Sequence, residues 1–75
     1  MTEALYRLWG KNLKGLREAK NLTQEDVAKG LDTTRASVSR WESGLVMPND
    51  EMRVRCGVYF GVPATGIFPL IEVPA

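Results

Sequence analysis

The sequence predicts an all-α fold of four to five short helices with a short extended C-terminal tail. Three observations lead there. Apolar residues recur at helical spacing along the first half of the chain. Helix-start residues stand where the later helical patterns begin, at Thr23, Thr34 and Asn49. Glycines stand where two of those patterns end, at Gly44 and Gly61.

Seventy-five residues make one domain. A hydrophobic content of 44% with only four prolines is that of a globular chain. A chain this short buries only about 60% of its unfolded surface, so a partner subunit would help it. The single Cys56 excludes an intramolecular disulfide, and with no histidine the usual zinc ligands are missing. No glycine-rich phosphate loop and no nucleophile–base pair stands out. The reading is therefore no enzyme, no metal, no cofactor and no small-molecule ligand. No apolar run is long enough to span a bilayer. The start, MTEALYRLWG, lacks a basic segment followed by an apolar core. A reducing cytoplasm and no membrane partner are expected.

The first helix is expected from about Ala4 to Lys20. Leu5, Leu8, Trp9, Leu13, Leu16 and Ala19 fill one side of its wheel, with Arg7, Lys11, Lys14 and Glu18 opposite. This basic stripe reads as a solvated face. The second helix opens at Thr23, with Asp26 three residues on completing a Thr-x-x-acid box. Its inner face is Val27, Ala28 and Leu31; Gly30 weakens its last turn, and Asp32-Thr33-Thr34 makes a tight polar turn.

Thr34 caps a third helix that runs from Arg35 to about Ser43 and stops at Gly44. At 100° per residue, Val38 and Trp41 point one way. Ala36, Ser39, Arg40 and Ser43 point the other, with Arg35 beside them and Glu42 on the flank of the buried side. Leu45-Val46-Met47-Pro48 connects to a fourth helix capped by Asn49 and reaching Phe60. Its polar Arg53 and its Gly57 leave two registers open. Met52, Cys56 and Tyr59 or Phe60 face inward, or Arg53 lies across the surface. A last helical turn follows Pro63 through Ile67 and Phe68, Pro69 stops it, and Leu70 to Val73 reads as extended.

Net charge is only +1, so a broad electrostatic binder is excluded. Basic residues are local: Arg7, Lys11, Lys14, Arg17 and Lys20 early, then Arg35 and Arg40 on the third helix. An arginine can grip O6 and N7 of guanine with two hydrogen bonds, worth roughly 1–3 kcal/mol of discrimination. A helix with an outer face of arginine and small polar residues suits a DNA major groove.

LREAKNLTQEDVA and TTRASVSRWESG resemble the phage-repressor type of helix-turn-helix domain, the Cro/repressor or XRE family, with a lambda-repressor-like fold. The likeness is close over helices one to three and weaker beyond Pro48. It implies a DNA-binding domain over residues 1–68, with the helix-turn-helix at about 23–43, and a tail over 69–75. It implies double-stranded DNA as partner. Gln24 is the phosphate contact at the start of helix two, and Thr34 is a cap that also touches phosphate. Arg35 and Ala36 are the leading pair at the bases, and Ser39 and Arg40 the next. Ser43 contacts the DNA backbone. Arg40 reads a second base or holds a phosphate; Ala36 packs on a thymine methyl or merely permits close approach. Arg17 and Glu42 are expected to form a partly buried ion pair.

One such domain reads too few base pairs to discriminate within a genome. A homodimer reading half-sites about 34 Å apart is therefore expected. Its contacts are placed on helix four and the tail, at Phe68, Leu70, Ile71 and Val73. The function implied is sequence-specific transcriptional regulation in a bacterial or host-cell cytoplasm, nucleoid-associated. The alternatives are a controller of a restriction-modification locus, or an antitoxin or adaptor whose main partner is another protein.

Overall fold

The computed structural model describes residues 2–70, and these contain five helices: α1 (Thr2–Ala19), α2 (Gln24–Gly30), α3 (Arg35–Ser43), α4 (Asp50–Phe60) and α5 (Ala64–Ile67). Local chemistry sets most of the boundaries. Thr23 Oγ1 accepts the Asp26 amide at 3.0 Å, and Asp26 Oδ2 accepts the Thr23 amide at 2.9 Å, closing the capping box. The Thr23 amide, and then its hydroxyl, holds the Asp26 carboxyl below the usual carboxylate range. Thr34 and Asn49 accept the amides of Ser37 and Met52 in the same way, at 3.1 and 2.9 Å.

Four helices end alike, with paired reverse-turn hydrogen bonds around a residue in the left-handed region. Gly44 and Gly61 do this after α3 and α4. Asn21 and Asp32, both at φ 55°, do it after α1 and α2. These are the side chains that tolerate that conformation best after glycine.

The core gathers one face from every helix. Trp9 and Leu13 of α1 join Val27 and Ala28 of α2, with Leu31 just after it. Val38 and Trp41 of α3, Cys56 and Phe60 of α4, and Ile67 and Phe68 complete it. Leu5 and Leu16 are partly buried against this cluster, whereas Ala19, turned about 120° from Leu13 around the helix, is exposed. A Cβ on Gly10 would lie 2.5 Å from the Trp41 carbonyl oxygen and 2.6 Å from that of Glu42. The missing side chain lets α1 cross α3 backbone to backbone.

The two registers left open for α4 are reconciled by what its side chains touch. Cys56, Gly57 and Phe60 face inward, while Met52 and Tyr59 are half-buried. Arg53 lies across the surface, its guanidinium carbon 4.7 Å from the Trp9 ring centroid and its Nε donating to the Pro48 carbonyl at 2.9 Å. Gly57 is required rather than merely tolerated: a Cβ there would sit 2.7 Å from the Val62 carbonyl oxygen. Burial among apolar groups pushes the Cys56 thiol up to about 11.

The C-terminal segment is held by α1. Trp9 Nε1 donates to the Pro69 carbonyl at 2.8 Å, and Asn12 Nδ2 to that of Ile67 at 3.0 Å. Phe68, expected at a dimer contact, is instead a core residue. It is 4% exposed and meets the Trp9 ring edge-on at 5.6 Å, because the turn of α5 directs it back toward α1. Leu70 is exposed. Ile71 and Val73, and with them the expected extended tail, lie outside the described residues.

Candidate nucleic-acid interface

α3 carries the candidate surface, and its orientation follows from what it buries. Val38 is fully buried and Trp41 nearly so, which turns the opposite side of the helix outward. Arg35, Ala36, Ser39, Arg40 and Ser43 are all exposed on or beside that side. α2 supports it from behind through Val27 and Ala28. The N-terminus of α2 opens near the start of α3: Thr23, Gln24 and Glu25 line one shallow concavity with Arg35.

A charged network fixes the angle between these elements. Arg17 Nε donates to Glu42 Oε2 at 2.7 Å and Arg17 Nη2 to Glu42 Oε1 at 3.0 Å, a two-pronged pair. The Glu42 side chain is 4% exposed and that of Arg17 13%. The hydrogen bond it donates to Glu42 raises the Arg17 guanidinium further above its already high ordinary value. Arg17 Nη1 also donates to the Leu22 carbonyl at 2.9 Å, pinning the loop before α2.

Gln24 belongs to the same network. Its Nε2 donates to Glu42 Oε1 at 3.1 Å. That bond uses one amide hydrogen and leaves the other to give. The sequence puts Gln24 at the helix start and carries no sign of its contact with Glu42. The contact joins residues 18 apart in sequence, and only the helix-to-helix angle brings them together.

Thr34 and Ser43 are exposed, but each hydroxyl is engaged locally. Thr34 Oγ1 accepts the Ser37 amide and donates to Ser37 Oγ at 2.9 Å. Ser43 Oγ donates to the Arg40 carbonyl at 3.0 Å. A phosphate at either position would take the hydroxyl hydrogen from an existing bond. Arg35 and Arg40 are exposed, and neither takes part in the ion pairs of the described residues.

α4 exposes two apolar residues, Val54 at 58% and Val58 at 79%. They share a shallow apolar groove with Val62 and Pro63. The four-residue spacing of the two valines was readable in the sequence, but which side of α4 faced out was not. Among the described residues no helix is long and apolar enough to cross a membrane.

Comparison with known proteins agrees with this geometry. The HTH_3 helix-turn-helix family model matches residues 13–67. The HTH-type transcriptional activator BcrR of Enterococcus faecalis is 41% identical over 54 residues, 72% of this chain. The chain spans only 26% of the length of BcrR. The HTH-type transcriptional regulator MJ0272 of Methanocaldococcus jannaschii is 38% identical over 56 residues, covering 75% of this chain and 85% of the relative. Among solved structures, the restriction-modification controller protein C.AhdI from Aeromonas hydrophila superposes with a TM-score of 0.81 at 25% identity, over 87% of this chain and 98% of that one. With α2 and α3 arranged as a helix-turn-helix and the match running from Leu13 to Ile67, the chain belongs to the HTH_3, or XRE-type, family of DNA-binding transcriptional regulators.

Proposed function

We propose that the chain binds operator DNA as a homodimer, each copy laying α3 in a major groove of one half-site. Arg35 and Ala36, then Ser39 and Arg40, meet base edges, while Gln24, Thr34 and Ser43 meet phosphates. One observation carries this reading: the outer side of α3 is an unbroken exposed row of arginine and small polar residues. Beside it the Gln24 amide is held in place by a buried carboxylate. Small side chains between the arginines permit close approach to the groove floor. Residues 1–68 act as the DNA-binding unit and 69–75 as its tail. The protein works by binding rather than catalysis, in the cytoplasm.

The second copy is placed against Val54 and Val58. These valines are solvent-exposed in the single chain and are not among the side chains proposed to meet DNA, so a dimer through them does not use the outer row of α3. Selection of duplexes from a random library tests the whole reading. Two inverted half-sites about one helical turn apart are expected. A single unrepeated site, with Val58→Glu leaving the sedimentation mass unchanged, would contradict the dimer. No enrichment at all would contradict DNA reading.

A restriction-modification controller is the second reading. The likeness to C.AhdI over 98% of that chain favours it. A selected operator lying beside restriction and methyltransferase genes is its test.

A further inference from the structure

We propose that α1 carries a second strip of DNA contacts, a phosphate track formed by Arg7, Lys11 and Lys14 along the flank of α3. It rests on the reading of α3 as the helix in the groove. On α1 taken alone this stripe is a solvated face; the place of α1 beside α3 alters that.

Gly10 marks where α1 meets the backbone of α3 at Trp41 and Glu42. Arg7 stands one turn before that crossing and Lys14 one turn after. At 100° per residue Arg7, Lys11 and Lys14 share an arc of about 60° next to the side occupied by Gly10. Both ends of the track touch the α3 region. The Arg7 backbone and Cγ lie within 3.3 Å of where a Gly44 Cβ would be, so the base of its side chain abuts the C-terminal cap of α3. Lys14 lines a shallow polar concavity with Gln24, Ser39 and Ser43, one of the group proposed for bases and two of those proposed for phosphates.

The chemistry fits a strand of duplex backbone. All three side chains are exposed, and none belongs to an ion pair of the described residues. From Arg7 to Lys14 the helix rises about 10 Å, enough to follow two or three successive phosphates of one strand. Glu3 and Glu18 stand one turn beyond either end and limit the track to three cations. A protein of net charge +1 cannot rely on its overall field, so its phosphate grip must come from cations at the groove edge.

The test is binding of the full chain to a duplex selected by the wild type and to a scrambled duplex, from 50 to 200 mM salt. The triple variant Arg7→Gln, Lys11→Gln, Lys14→Gln is expected to weaken both by a similar factor, about tenfold or more. It should also flatten the log–log salt slope by about 0.9 per lost contact. Lys14→Gln alone should show about a third of that change and serves if the triple variant melts early. Lys29→Gln makes the same charge change as Lys14→Gln at an exposed position of α2 outside the residues proposed for DNA and for the dimer, and should leave the slope alone. A wild-type slope in the triple variant, or a loss in Lys29→Gln equal to that in Lys14→Gln, overturns the track. If Arg35→Ala still relaxes base choice in that case, the reading of α3 stands without it. If the wild type selects no duplex, both fall together.

Discussion

Gln24 on α2 donates its side-chain amide to Glu42 on α3, to the same carboxylate oxygen that Arg17 of α1 approaches to 3.0 Å. One carboxylate therefore joins three helices, at 4% side-chain exposure. Each element of the helix-turn-helix is referenced to α1 through it, so the outward row on α3 and the start of α2 keep a fixed relation.

Removing either charge of this pair should be severe. Glu42→Ala strands a largely buried guanidinium and is expected to cost about 3–5 kcal/mol. At roughly 4–8 °C per kcal/mol for a domain of this size, the thermal midpoint should drop by more than about 12 °C. Arg17→Ala should match it, and the double variant should lose far less than the sum. A Glu42→Ala melt superimposable on wild type would refute a buried pair.

DNA contacts should separate by kind. Arg35→Ala is expected to relax base choice at one position of the half-site, with about 1–3 kcal/mol of discrimination lost there. Gln24→Ala should weaken selected and scrambled duplexes by the same factor, since a phosphate contact is blind to sequence. Fluorescence anisotropy on single-base variants of the selected duplex reads both effects. Wild-type binding by both variants would mean that another face meets DNA.

Gly10→Ala sets two effects against each other. In an isolated helix the change gains about 1 kcal/mol of propensity. Here the new methyl would meet two backbone oxygens of α3 at 2.5 and 2.6 Å, and overpacking against backbone typically costs about 1–3 kcal/mol. Net destabilisation of the domain is expected in urea, because the Trp41 carbonyl is held by the Gly44 amide at the cap of α3. A stabilised variant would show that α1 and α3 stand further apart.

The Cys56 thiol gives a pH signature. It is fully buried, and its folded value is pushed up to about 11 from an ordinary 9.0, chiefly by desolvation. A raised value favours the neutral thiol in the fold, so its contribution is complete below pH 9. It is lost as pH rises toward 11, where the unfolded chain gives up the proton first. Chemical denaturation should show stability falling over that window, and Cys56→Ser should remove that part of the fall. Iodoacetamide should label the native protein far more slowly than the urea-unfolded chain at pH 8. Equal labelling rates would place the thiol at the surface.

The helix starts and stops were legible because their causes lie within a few residues along the chain. Thr23 with Asp26, Thr34 with Ser37, Asn49 with Met52 and the glycines at 44 and 61 each act over one turn. The two faces of α3 were legible for the same reason: a helical period sorts Val38 and Trp41 from Arg35, Ala36 and Ser39 without reference to any other element. What only the tertiary structure decided involves distant partners. Arg53 covering Trp9, Phe68 turned inward, Gly10 admitting α3 and Lys14 set beside Ser43 depend on crossing angles between helices. Those angles come from filling one small core with side chains from all five helices at once. No local pattern encodes that condition.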